Sequence, residues 1–454
     1  MAIQTINPTT EKIIKSFEAI SNDEINKIID EVKNEFELWK KKSFSERKNL
    51  MLNAAKILKK DKRKYGEILT LEMGKPIKEA IAEAEKCAWV CEYYAEKTEE
   101  ILKKEIIETD ASESYVQFDP IGIVLGVMPW NFPYWQVFRF AAPALMAGNA
   151  GILKHASNVP MSALAIEEIF HEAGFPKNIF RTLLISSKQV DAVIENPKVK
   201  AVTLTGSEHA GKMVASKSGK MLKKTVMELG GSDPFIVFAD ADLEKAIETA
   251  IVARLLNNGQ SCIAAKRFIV IEDIAEKFEE LFKQKMEEVV IGNPMDENTQ
   301  LGPMAREDLL LELDEQVKKS VQLGAKILTG GKRLEGTGYF YPPTIITNVK
   351  QGMPAYSEEL FGPVATVIKV KDEEEAIFVA NDTMFGLGAS LWTNNLEKAK
   401  KLTREINSGS VFVNGLVKSD PRLPFGGVKI SGYGRELSHY GIKEFVNIKT
   451  VWIK

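Results

Sequence analysis

A lone thiol closes the polar turn Asn257-Asn258-Gly259-Gln260-Ser261-Cys262, in a chain of 454 residues with three cysteines. Some 34 positions upstream, Glu228-Leu229-Gly230-Gly231-Ser232 presents a carboxylate just before a flexible glycine pair. A thiolate is a nucleophile that can form an acyl–sulfur bond, and a carboxylate can take a proton from the water that breaks it. Together these are the two groups needed to make and then hydrolyse a thioester. Each is weaker alone, since an isolated cysteine is commonly a small buried hydrophobe and an isolated glutamate a surface carboxylate. A cysteine protease would need a histidine partner, and His155, His171, His209 and His439 are scattered with nothing to nominate one.

Two further segments carry chemical potential. Thr205-Gly206-Ser207-Glu208-His209-Ala210-Gly211 follows a predicted strand and opens a predicted helix, where free N–H groups and the helix dipole suit an anionic cofactor group. Its spacing is neither the dinucleotide fingerprint nor the P-loop, and many strand–helix turns contain two glycines. In Val127-Met128-Pro129-Trp130-Asn131-Phe132-Pro133 two prolines bracket Trp-Asn-Phe beyond a strand's end. A side-chain amide held that rigidly suits an oxyanion donor; a structural turn with its own Asx hydrogen bond is the other reading. Cys87 and Cys91 sit four apart in the amphipathic stretch Glu79 to Tyr94 and read as buried small hydrophobes, so no metal site is expected.

The elements that must position these groups follow from periodicity. Ser21 with Glu24 and Ser43 with Glu46 form capping boxes that open two helices. The first carries the stripe Ile25, Ile28, Ile29, Val32, Phe36 and Trp39; the second runs to about Tyr65, and a third helix follows Gly74-Lys75-Pro76. Short β-branched runs at Ile121 to Val127, Ala150 to Lys154, Ala201 to Thr205 and Phe235 to Phe238 alternate with helical patterns, as a mostly parallel α/β sheet requires. After Gly231 the alternation restarts: a helix from about Asp242, a strand at Arg267 to Ile271, a helix from Ala275, and strands at Ala365 to Val370 and Ser410 to Asn414. That is a second α/β domain, with Glu228 and Cys262 near the seam, where ligand sites favour forming.

Sixty basic residues against 63 acidic ones leave no polybasic signature for nucleic acid or anionic lipid. No apolar run reaches the roughly 20 residues of a membrane span, and Met1-Ala2-Ile3-Gln4-Thr5 lacks the layout of a signal peptide. With so few cysteines the expected compartment is the reducing cytoplasm.

Pro129-Trp130-Asn131-Phe132-Pro133, Glu228-Leu229-Gly230-Gly231, Gly259-Gln260-Ser261-Cys262, Glu359-Leu360-Phe361-Gly362-Pro363 and Pro424-Phe425-Gly426-Gly427-Val428-Lys429 occur in the order and spacing of the aldehyde dehydrogenase superfamily. The chain resembles that superfamily from Ile6-Asn7-Pro8 to Ser431-Gly432-Tyr433-Gly434-Arg435-Glu436. The resemblance implies that Cys262 attacks an aldehyde carbon, that the Asn131 amide and the Cys262 N–H hold the oxyanion, and that Glu228 activates water to release an acid. Acid–CoA-forming relatives commonly lack that glutamate. It also implies a nicotinamide cofactor bound by Trp130, Lys154, Gly206, Ser207, Gly211, Leu229, Glu359 and Phe361. Where relatives carry Lys-Pro-x-Glu, this chain has Lys154-His155-Ala156-Ser157; a serine tolerates the 2′-phosphate that a glutamate repels, so NADP is favoured and NAD is the alternative. Ile185-Ser186-Ser187-Lys188 departs from a glycine-rich turn near the adenine and also tolerates phosphate.

Arg139 stands where succinate-semialdehyde dehydrogenases carry a carboxylate-binding arginine. Trp135-Gln136-Val137-Phe138-Arg139 and the segment Asn258 to Arg267 resemble the shorter bacterial members. The expected substrate is therefore succinate semialdehyde, bound by Arg139 with Trp135 and with Ser419 or Arg422, because Leu256 replaces a second arginine found in some relatives. The alternatives are glutarate semialdehyde or a simple aliphatic aldehyde. A non-catalytic structural relative and a cofactor-free thiol hydrolase are the rival classes. The resemblance implies an α/β fold with a Rossmann-like cofactor domain (1-102 and 120-230), a catalytic domain (231-428) and a small β oligomerisation element (103-119 and 437-454). A homodimer or homotetramer is the expected state, with the stretch Glu444 to Lys454 available to a neighbouring subunit's sheet.

Overall fold

The computed structural model describes residues 3–454, so Met1 and Ala2 of the N-terminal segment lie outside the described residues. The apolar stripe over Asn22–Trp39 does form one helix face, with all six predicted residues buried and the Ser21 hydroxyl accepting from the Glu24 N–H. The capping box at Ser43 and Glu46 is complete in both directions. Its helix stops earlier than predicted, at Lys60. Asp61 leaves helical geometry (φ −105°, ψ 21°) and a separate helix, Lys62–Met73, begins at once. Gly74 ends that helix in the left-handed region (φ 80°), where a side chain would be strained. The long helix Ile77–Ile101 follows, with Cys87 and Cys91 among its buried packing residues.

A six-stranded sheet holds, in spatial order, Gly432–Tyr433, Lys224–Glu228, Val199–Thr205, Ile123–Met128, Ala150–His155 and Phe180–Thr182. All pairings are parallel except that of Gly432–Tyr433. From Ile123–Met128 the chain winds outward to Ala150–His155 and Phe180–Thr182, then returns to build on the other side. The order therefore reverses between Ile123–Met128 and Val199–Thr205, and in open α/β sheets ligands bind beyond the carboxyl ends of the strands at such a reversal. Those ends are Pro129-Trp130-Asn131 and Gly206-Ser207.

Lys224–Glu228 then runs through Leu229–Ser232 directly into Asp233–Val237 of a seven-stranded sheet. Its order is Lys326–Thr329, Thr344–Thr347, Val364–Val370, Ala265–Ile271, Asp233–Val237, Gly388–Trp392 and Ser410–Val413, parallel apart from the first pair. Cys262 lies just before Ala265–Ile271. The carboxyl end of the first sheet thus meets the amino end of the second, and the two candidate groups flank that junction.

The region Lys103 to Asp119 and the C-terminal stretch meet in a three-stranded antiparallel sheet. Val446–Ile453 pairs with Glu113–Pro120 of its own chain, Val446 opposite Pro120 and Ile453 opposite Glu113. It is therefore an edge strand, with Ile448, Trp452 and Ile453 exposed. No described helix is long and apolar enough to cross a membrane.

Candidate active site

The turn before the thiol is held in an uncommon shape. Asn257 and Asn258 (φ 58° and 57°) and Gly259 (φ 73°) are consecutive left-handed residues, a conformation that asparagine tolerates better than other non-glycine residues. The Asn257 N–H donates to Glu79 Oε2 (2.7 Å) and its amide to the carbonyls of Asn131 (2.8 Å) and Gln260 (2.9 Å). Asn258 donates to the carbonyls of Gly74 (2.8 Å) and Pro303 (2.9 Å) and accepts from the Gly302 N–H (2.8 Å). A side chain on Gly259 would collide with the backbone of Gly362. Lys266 closes the turn from the other side, donating to the carbonyls of Ser261 and Cys262 (2.8 Å each). The Cys262 backbone is thereby fixed before any ligand arrives.

Two cavities meet at Cys262. The larger, about 500 Å³, is lined by Trp130, Asn131, Gly206, Ser207, Leu229, Glu359 and Phe361 among others, with Cys262. The smaller, about 190 Å³, is lined by Trp135, Arg139, Ser419 and Lys86, apolar residues including Phe132 and Phe425, and again Cys262. Gln136 lines both. Asn131 is buried beside the thiol; its amide donates to the Gln260 carbonyl (3.1 Å) while its oxygen accepts from Gln136 Nε2 (3.0 Å). That pair of bonds fixes which end of the amide carries the N–H groups, leaving one N–H for an oxyanion. Burial pushes the Cys262 thiol up to about 12, against the opposing pull of Lys266 and Arg139.

Glu228 is seated apart from the two cavities. Its carboxylate is 2% exposed, lines neither cavity and has no hydrogen-bond partner for either oxygen. It lies against Gly426, where an added side chain would meet Oε1 at 2.7 Å. Burial, and then the neighbouring Glu436 carboxylate, hold Glu228 well above the usual carboxylate range.

The expected carboxylate clamp, Arg139, has partners inside the fold. Arg139 lines the smaller cavity, but it forms an ion pair with Glu436 in which both side chains are 3% exposed. It also donates to Thr205 Oγ1 (3.1 Å) and lies over the Phe425 ring (4.5 Å). A guanidinium so engaged is already neutralised, because a buried arginine needs its counter-charge within the fold. Arg422 does not reach the cavity: it binds Asp420 (2.9 and 2.6 Å) and is largely in solvent. Ser419 is buried and accepts from Lys86 Nζ (2.8 Å). Trp135 lines the cavity beneath the same ammonium, 4.3 Å from its ring centre.

The residues expected at the cofactor divide into two groups. Trp130 and Phe361 meet edge-to-face (5.8 Å) in the larger cavity, and Glu359 accepts from the Gly231 N–H (3.0 Å) and pairs with Lys266 (3.3 Å). A side chain on Gly230 would overlap Glu359 Oε2, so the glycine leaves that carboxylate its place. Ser207 caps the helix Glu208–Lys220, accepting from the Ala210 N–H. Gly211 does not line the cavity; it makes room for Leu229, which does. Lys154 and Ser157 also lie outside the cavity walls, at the carboxyl end of the strand next to Ile123–Met128, with Ser157 exposed and burial lowering the Lys154 ammonium. His155 ties the two strand ends: its Nε2–H donates to the Pro133 carbonyl (2.8 Å), and burial lowers the ring to about 4, keeping it neutral.

Lys86, Gln136, Lys266 and His155 carry no signal that local patterning could read. Their partners include residues far off in the chain, as Lys86 with Ser419, 333 positions away, and Lys266 with Glu359 show.

A fixed thiol shared by two cavities, with an amide donor beside it and a strand-order reversal beneath, is the arrangement of an aldehyde-oxidising enzyme. The aldehyde dehydrogenase family model matches residues 1–451, and the chain belongs to that family. It is 52% identical over 453 residues to a Synechocystis protein named probable succinate-semialdehyde dehydrogenase of the NADP(+) type, covering all of both chains. It is 48% identical over 456 residues, again end to end, to a Mycobacterium tuberculosis succinate-semialdehyde dehydrogenase of that type. Among solved structures, succinic semialdehyde dehydrogenase from Streptococcus pyogenes in complex with NADP+ superimposes with a TM-score of 0.98 at 40% identity, covering 100% of each chain.

Proposed function

We propose that this protein oxidises succinate semialdehyde to succinate with NADP as hydride acceptor. The observation that carries the reading is the placement of Cys262 at the meeting point of a large cavity suited to a dinucleotide and a small one suited to a short aldehyde. The relatives named for that reaction support the substrate and the cofactor. Ser157 supports NADP, because a hydroxyl accommodates a 2′-phosphate that a carboxylate would repel.

NADP fits the residues present: Trp130, Gly206, Ser207, Leu229, Glu359 and Phe361 would hold it in the larger cavity, with Lys154 and Ser157 toward its 2′-phosphate. When bound, its nicotinamide supplies the acceptor for the aldehyde hydride. The chain's own residues do the rest. Cys262 passes its thiol proton to solvent water, and the thiolate sulfur adds to the aldehyde carbon. The Asn131 amide and the Cys262 N–H stabilise the resulting oxyanion; donors of this kind are worth about 10²–10³ in rate each. Loss of hydride leaves a succinyl thioester on the Cys262 sulfur. To deprotonate the hydrolytic water, Glu228 turns out of its seat by Gly426 and Glu436, and solvation then lowers its pKa so that the carboxylate becomes available as base. Arg139 acts as structural support through Glu436. The protein works in the cytoplasm, and the Val446–Ile453 edge with its exposed apolar residues supports a homodimer or homotetramer.

Initial rates of NADP and NAD reduction with succinate semialdehyde test this reading. A kcat/KM advantage of about tenfold for NADP, roughly 1.4 kcal/mol, is expected. Absence of turnover with either cofactor, while a neutral aldehyde is oxidised, would overturn the substrate assignment.

A further inference from the structure

Lys266 is 1% exposed at the start of the strand Ala265–Ile271, four positions after the nucleophile. A lysine is seldom taken so completely out of water unless its charge has partners. The ammonium donates to the carbonyls of Ser261 and Cys262 (2.8 Å each) and of Ala264 (3.3 Å). A neutral donor could close the turn in the same way, so those bonds alone do not call for a cation. The charge itself is met by Glu359, whose Oε1 lies 3.3 Å from the ammonium and which lines the larger cavity. Two glycines leave room for this meeting: a side chain on Gly230 would overlap Glu359 Oε2, and one on Gly231 would meet the Cys262 carbonyl at 2.7 Å.

The other charged groups around Cys262 have partners of their own. Arg139 has Glu436 as counter-ion, and Arg254 donates to the carbonyls of Ala265 and Gly259. Lys86 donates to Ser419, Glu79 accepts from the Asn257 N–H, and Glu83 pairs with Lys75. Asp233 accepts from the Gly388 N–H (3.0 Å), and burial raises its carboxyl to about 7. Among the described residues, no histidine lines either cavity, so the thiol has no imidazole beside it to stabilise its charged form.

We propose that Lys266 is a positioning residue for the nucleophile: its ammonium, tethered by Glu359 and bonded to the Cys262 carbonyl, is the fixed positive charge that favours the thiolate at Cys262. This rests on the reading of Cys262 as the nucleophile. Burial raises the thiol, and Lys266 comes first among the charges that oppose it, ahead of Arg139. Burial also lowers the Lys266 ammonium, and Glu359 acts to keep it charged. An ammonium has no lone pair to accept a proton, so Lys266 acts by its field while the thiol proton leaves to solvent.

The test is alkylation of the cofactor-free, full-length protein by iodoacetamide, a neutral reagent, followed over pH 6–9 by mass analysis of the peptide carrying Cys262. Lys266→Gln removes the charge and keeps an N–H donor. A neighbouring opposite charge is worth about one to three pKa units; with Glu359 opposing it, the low end applies, and the rate should fall about tenfold at every pH. Lys266→Arg should recover most of the rate. Glu359→Gln, which removes the offsetting anion, should speed alkylation severalfold. A turn that merely loosens without Lys266 would expose the thiol and react faster. That result, an unchanged rate, or an equal loss in Lys266→Arg overturns the proposal. Should Lys266→Gln not fold by circular dichroism, Glu359→Gln decides: faster alkylation supports the assignment, and an unchanged or slower rate overturns it. A wild type in which Cys262 is not alkylated ahead of Cys87 and Cys91 would fail the nucleophile reading itself, before any variant is made.

Discussion

Replacing Arg139 with methionine separates a structural arginine from a substrate clamp. The guanidinium forms an ion pair with Glu436 inside the fold, donates to Thr205 (3.1 Å) and covers Phe425. Arg139→Met keeps much of the apolar stem but leaves Glu436 buried without its cation and next to Glu228, a second carboxyl that already feels its charge. Breaking one side of a buried pair costs about 3–5 kcal/mol. The lower end applies here, because Glu436 can take up a proton; burial already raises its pKa. At roughly 2–4 °C per kcal/mol for domains of this size, a loss of about 3 kcal/mol lowers the melting temperature by about 6–12 °C. The assay is thermal unfolding at matched concentration for Arg139→Met, Glu436→Gln and the double variant. The double variant is expected to recover much of the loss, since neither uncompensated charge remains. Activity should fall in similar proportion for succinate semialdehyde and butanal. A variant that melts like the wild type while KM rises for succinate semialdehyde alone would refute this reasoning and return Arg139 to the substrate.

Other perturbations have equally definite outcomes. Asn131→Ala removes a donor whose orientation Gln136 fixes, and kcat should fall about 10²–10³-fold with the fold intact by circular dichroism. Because burial holds the Cys262 thiol up to about 12, its thiolate fraction should rise tenfold per pH unit across pH 6–9. Iodoacetamide alkylation of cofactor-free protein should follow with a log–log slope near +1, and a plateau below pH 9 would contradict that burial effect. Ser157→Glu places a carboxylate at the end of the strand that carries Lys154. It should reduce kcat/KM for NADP about tenfold or more while sparing NAD.

Much of the scaffold was legible because its signals are local. The stripe on Asn22–Trp39 repeats with helical period and each member is buried, and the longer strands Ala265–Ile271 and Val364–Val370 are dense in apolar and β-branched residues. Lys326–Thr329, Thr344–Thr347 and Gly388–Trp392 escaped prediction, being four or five residues long and without clear alternation. They are strands because the sheet beside them supplies their hydrogen bonds. The helix end at Lys60 was hidden by residues of good helical propensity on both sides of Asp61. In the site, Cys262, Asn131, Glu359 and Phe361 belong to compact sequence patterns, and the structure brings them to one cavity. Charge pairing could not be read the same way. Arg139 with Glu436 and Lys86 with Ser419 join distant parts of the chain, so these pairings are decided only by the tertiary fold.

The central claim is that succinate semialdehyde is oxidised through an acyl bond on Cys262. Glu228→Gln, which removes the base but leaves the nucleophile, should slow thioester hydrolysis enough for the intermediate to accumulate. The direct measurement is acid quenching of this variant during turnover with succinate semialdehyde and NADP, followed by peptide mass analysis. A succinyl group on the peptide carrying Cys262, at near-stoichiometric level and dependent on NADP, is the predicted result. A burst of NADPH with no acyl group on Cys262, or an acyl group on another residue, would contradict it.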